Sequence, residues 1–121
     1  MASVKSFKDL IVWQEGHKLA LLVYVSTSQF PKEEIFALTS QMRRAAVSIT
    51  SNIAEGFGRR QTKDKEHFYV MSRGSLDELI SQIQLAFDLH YIDETIYEKL
   101  NAQSESAARL LNALLKAHKN F

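Results

Sequence analysis

The chain contains no cysteine. Disulfide bridges and thiolate metal sites are thereby excluded, and a core must hold the fold. A reducing compartment suits such a chain. There is one proline, Pro31, and there are four glycines, with no Pro/Gly/Ser-rich tract, internal repeat or low-complexity segment. Nothing marks a linker, so residues 1–121 read as a single domain. Neither charge is in excess: 15 Lys and Arg oppose 14 Asp and Glu, a formal net charge of +1. A global basic field is absent, and any contact with nucleic acid must come from a local patch. The longest unbroken apolar run, "LALLVYV" at 19–25, is far shorter than the ~20 residues of a membrane span. The N-terminal "MASVKSFKDL" lacks the apolar core of a signal peptide. These absences together predict a cytoplasmic protein.

Catalytic patterns are missing as well. His17, His67, His90 and His118 are scattered, and no Glu-x-x-His pair of a di-iron bundle occurs. Gly56-Phe57-Gly58 is too short, and lacks the closing Lys and Ser or Thr, to be a phosphate-binding loop. The expectation is a non-enzymatic protein without cofactor or metal.

What is present is helical periodicity. Hydrophobic residues make up 45% and charged residues 24%, a globular composition. The first predicted helix runs from about Asp9, as N-cap, to about Ser28, ending before Pro31. Its run at 19–25 is apolar nearly all round. The second spans Leu38 to Phe57, with Leu38, Met42, Ala46, Ile49, Ile53 and Phe57 on one stripe. Gly56 and Gly58 are expected to close it through left-handed backbone. The third spans Thr62 to Leu89. The fourth begins at Asp93 as N-cap, with Ile92 and Tyr97 as a hydrophobic staple. It carries a heptad-like seam from Ile96 to Ala117 and a second of Ala108, Leu111, Leu115 and His118. No strand pattern competes. The expected fold is all-α, an antiparallel up-down-up-down four-helix bundle.

"DLIVWQEGHKLALLVY", "FPKEEIFALTSQMRRAAVSITSNIAEGFGR" and "GSLDEL" together resemble a family of small bacterial four-helix bundle proteins. That family is named for members encoded in intervening sequences of large-subunit ribosomal RNA genes. The resemblance covers nearly the whole chain and is strongest from Phe30 to Glu78. It implies a homopentamer and implies no known activity. The accessory protein of diversity-generating retroelements is a more distantly similar pentameric bundle.

Three groups of residues are candidates for function. Arg59, Arg60, Lys63 and Lys65 crowd the corner between the second and third helices. Arg59 complements the helix dipole and sits four residues after Glu55, whereas Lys63 and Lys65 have no structural reason in a first helical turn. A solvated corner and an anion site that grips RNA or single-stranded DNA are the two readings. The second group is a polar stripe of Arg43, Arg44, Ser48, Asn52 and Glu55 facing Ser75 and Glu78 across the next helix. The register places Arg44 level with about residue 76, so Arg43 or Arg44 is expected to pair with Glu78. A buried pair would make Glu78→Ala cost about 3 kcal/mol. The third group follows from apolar surface wider than one bundle seam needs on the first and fourth helices. Trp13, Tyr24 and Leu111 are the expected anchors of self-assembly. The functional alternatives are a bundle associating with RNA through a basic rim and a protein-interaction scaffold that touches no nucleic acid.

Overall fold

The computed structural model describes residues 3–119. Residues 1, 2, 120 and 121 of the predicted domain lie outside the described residues, as does the seam position assigned to the His118 side chain. Four α-helices follow one another: α1 (Ile11–Thr27), α2 (Leu38–Phe57), α3 (Thr62–Asp88) and α4 (Glu94–Lys119). Short 3-10 turns at Phe7–Asp9 and Lys32–Glu34 precede α1 and α2.

Each helix packs on its two neighbours in a ring, α1 on α2, α2 on α3, α3 on α4 and α4 on α1. Side-chain bonds fix the directions. Arg43 reaches Thr27, Ser48 meets Ser75, Arg73 meets Asn112 and Gln103 reaches Glu15. In every pair the numbering rises on one helix as it falls on the other. The bundle is antiparallel and up-down-up-down, as periodicity predicts. Its core is built from Leu19 and Val23 of α1, Met42, Ile49 and Ile53 of α2, Leu76, Leu79 and Ile83 of α3, and Leu100 and Leu111 of α4, all fully buried.

The helix ends differ from expectation in three places. Asp9 does not cap α1. Its Oδ2 accepts the Ser6 N–H at 3.1 Å while Ser6 Oγ accepts the Lys8 N–H at 3.0 Å, a reciprocal box that closes the 3-10 turn instead. α1 therefore starts at Ile11, and α3 stops at Asp88. Asp93 does act as predicted, its Oδ1 accepting the Ile96 N–H at 2.9 Å at the head of α4.

The glycines at the end of α2 do not use left-handed backbone. Gly58 sits at φ −77°, and among the described residues the one positive φ outside glycine is His90, at 63°. Gly56 lies inside the helix for a steric reason. A Cβ there would sit 2.6 Å from the Tyr69 ring, so the missing side chain lets α3 close onto α2. Gly16 is similar but looser, with a virtual Cβ 3.1 Å from Thr50. Gly74 faces open space, with nothing within 4 Å.

Gly56→Ala should lose about 1–3 kcal/mol through overpacking against Tyr69. Gly74→Ala, exposed in mid-helix, should gain roughly 0.5–1 kcal/mol. Urea denaturation of both variants checks the pair; equal effects would remove the steric account of Gly56.

Candidate functional site

The α2–α3 corner spends much of its charge on itself. The Arg59 guanidinium lies 3.3 Å from Glu55 Oε2 and 4.6 Å from the centre of the Phe68 ring. Lys65 is not free, contrary to expectation. Its Nζ donates to the carbonyls of Gly56 at 3.2 Å and Phe57 at 2.9 Å, the last acceptors of α2, and lies over the Phe57 ring. A helix leaves its final carbonyls without intrahelical donors, and a lysine folding back from the next helix supplies them. Arg60 and Lys63 are exposed, and neither belongs to an ion pair among the described residues. Half of the predicted basic patch remains available to an anion.

The polar stripe divides into separate devices. Ser48 Oγ and Ser75 Oγ are 2.8 Å apart, and Asn52 Nδ2 donates to the Ser48 carbonyl and hydroxyl at 2.8 and 3.0 Å. Ser72, fully buried, donates to the Ile49 carbonyl at 2.7 Å. Small hydroxyls thus stitch α2 to α3 without any buried charge. The expected pairing with Glu78 is not formed. Arg43 points the other way: Nε donates to Thr27 Oγ1 at 2.9 Å, and the guanidinium lies 4.7 Å from the centre of the Tyr24 ring on α1. One helical residue is a rotation of about 100°, which sends Arg43 and Arg44 to different neighbours. Arg44 and Glu78 do line a common surface cleft of about 360 Å³ with Gln41, Ser48 and Ser75, but both are exposed and form no ion pair. Glu78 instead accepts from Gln82 Nε2 at 3.1 Å, and Glu55 belongs to Arg59.

The expected assembly anchors fare differently from one another. Leu111 is 0% exposed in the bundle's own core and cannot anchor a second subunit. The seam containing it faces inward because α4 turns both of its apolar rows partly toward the centre. Trp13 is half-buried, edge-on to Phe7 and stacked on His17. Tyr24 is exposed and carries Arg43 on its ring.

Sequence reasoning missed a large concavity. A trough of about 1030 Å³ runs between the end of α1, the Pro31–Ala37 connection and the first half of α2. Phe36 stands at its edge, 96% exposed, with Ile35, Tyr24 and Val47 exposed nearby in the same lining. The clue lay in Ile35-Phe36, two large apolar residues falling just before the α2 stripe begins at Leu38. The connection is held by Glu34, whose Oε1 accepts the Leu38 N–H at 3.2 Å and whose Oε2 accepts the Tyr91 hydroxyl at 2.8 Å. That bond to a carboxylate raises the Tyr91 phenol above its ordinary pKa.

The geometry defines an all-α, antiparallel helical bundle whose described residues gather no group of three or more metal-ligating side chains. Residues 8–113 match the 23S rRNA-intervening sequence protein family, and the chain belongs to that family. It is also similar to a protein of unknown function of the S23 ribosomal protein family from Bacteroides thetaiotaomicron VPI-5482, solved at 1.70 Å. The two share 23% identity and a TM-score of 0.80, over 90% of this chain and 98% of that one. At this identity the likeness concerns the fold. Curated proteins provide no match. Among the described residues no helix is long and apolar enough to cross a membrane.

Replacing Lys65 by Met should cost about 1–2 kcal/mol, because it removes the charged donor of the Phe57 carbonyl, whereas the Gly56 carbonyl keeps the Arg59 N–H at 3.1 Å. Glu78→Ala should change stability by less than about 0.5 kcal/mol, since the carboxylate is exposed. Guanidinium melts of the two variants, read against wild type, check both values.

Proposed function

We propose that this chain is a non-catalytic, cytoplasmic building block that assembles with copies of itself through the outer face of α1. The carrying observation is a stripe of exposed apolar side chains there: Ile11 at 64%, Leu21 at 56% and Val25 at 71%. These positions share one side of the helix, with Gln14 and Lys18 between them, and that side points away from the core. A single bundle gains nothing from them in water, whereas a partner surface removes them from solvent. Beside them, Leu22, Val25, Ile96 and Leu100 line a shallow apolar pocket of about 140 Å³ between α1 and α4. The family resemblance supplies the number of copies, five. Light scattering coupled to size exclusion should find a homopentamer. Leu21→Glu combined with Val25→Glu should yield a monomer of unchanged helicity. A wild-type monomer at micromolar concentration would overturn this reading.

The free charges at the corner support a second role, contact with RNA through a basic rim. Arg60 and Lys63 are unpaired, and a ring would repeat them in each subunit. Electrostatic affinity grows with the number of phosphates neutralised and falls steeply with salt. Fluorescence anisotropy with a labelled single-stranded RNA should show weak binding at low salt that Arg60→Glu with Lys63→Glu abolishes. Equal binding by wild type and variant would leave the bundle a scaffold without this nucleic-acid contact.

A further inference from the structure

We propose that the trough between α1 and α2 is a second, separate site, one that takes a short single-stranded nucleic-acid segment by stacking a base on Phe36. The trough and the basic corner lie at opposite ends of α2, roughly 25 Å apart by helical rise.

Charge complementarity selects an anionic occupant. The lining contains Lys32, Arg43 and Arg44 and no carboxylate. Of the two acids in the adjoining turn, Glu34 is committed to the Leu38 amide and the Tyr91 hydroxyl, and Glu33 lies outside the lining. Arg44 is exposed and has no acidic partner among the described residues, so its guanidinium is open to a phosphate.

Aromatic exposure selects a base-bearing anion. Phe36 presents nearly its whole surface at the edge of an open trough, and the neighbouring Tyr24 ring already has the Arg43 guanidinium 4.7 Å from its centre. A ring with free surface beside cations is how proteins hold unstacked bases, whereas an apolar peptide anchor is held by an enclosed, desolvated pocket.

The test measures anisotropy of a labelled oligouridylate, beside an abasic phosphodeoxyribose oligomer of the same length. Binding of the oligouridylate should exceed binding of the abasic oligomer. Phe36→Ala should weaken the former roughly tenfold, the scale of one base–aromatic stack, and leave the latter unchanged. Phe36→Trp should retain binding and show indole quenching on addition of oligouridylate. Arg44→Glu should weaken both, while the corner variant Arg60→Glu with Lys63→Glu should keep the preference for bases even if total affinity drops. Equal binding of the two oligomers, or no effect of Phe36→Ala, would overturn the proposal. Competition by a polyglutamate peptide as effective as unlabelled oligouridylate would overturn it in favour of an acidic protein partner. Loss of the assembled state in Phe36→Ala would also overturn it, by assigning the ring to contacts between copies.

Discussion

The spacing of α2 and α3 rests on the absence of one side chain. At Gly56 the Tyr69 ring occupies the volume where a methyl group would be, 2.6 Å from the place of a Cβ. Once that approach is set, the rest of the seam follows in register. Ser72 reaches the Ile49 carbonyl, and Ser75 reaches Ser48. Hydroxyls suit this seam because they are short. An arginine and a glutamate placed there would need room and would bring a desolvation cost that small polar groups avoid. The seam is therefore polar but uncharged, and the larger charged residues of the same stripe turn outward or toward α1.

Much of the architecture was legible in the sequence because it depends on period. The Leu38–Phe57 stripe fixes α2 to the residue, and Asp93 marks the start of α4 through a bond that its side chain does make. What was illegible depends on half-turn rotations and on side chains that fold back. Arg43 and Arg44 are adjacent in sequence and equally basic, yet one stacks on Tyr24 and the other faces open solvent. Lys65 looked ill-placed in a first helical turn, but its reach of four methylenes converts it into the cap of the preceding helix. Asp9, expected as the N-cap of α1, is instead the third residue of a capping box whose N-cap is Ser6, because the chain makes a 3-10 turn before the helix. Leu111 belongs to a real apolar row, but sequence alone does not say that both rows on α4 turn toward the centre.

The charged surface left free for recognition is thus smaller and differently placed than composition suggests. Basic residues that cap, stack or pair are already satisfied and contribute little to recognition. Of the basic residues in the polar stripe and the corner, Arg44, Arg60 and Lys63 are left over, the first in the first half of α2 and the other two just beyond its end. Exposed aliphatic groups sit apart from them on the outer side of α1, whereas Phe36 shares the trough with Arg44. A near-neutral chain can in this way carry local surfaces of distinct chemistry, one suited to its own copies and others to anions.

The ring of helix contacts also orders how the bundle holds together in time. Three of its seams join helices consecutive in the chain, so each closes a short loop. The α1–α4 seam joins the two ends of the fold, and its closure requires ordering everything between. Polar bonds cross it as they cross the other seams: Gln103 and Ser106 both donate to Glu15, whose carboxyl is held below its ordinary pKa first by Lys18 and then by Ser106. Such a seam is the natural place for a transient parting of the bundle, with α1 swinging out while the α2–α3–α4 sheaf stays intact. Because the exposed apolar stripe also rides on α1, a neighbouring subunit that covers it would act as a clamp on the joint between the bundle's first and last helices.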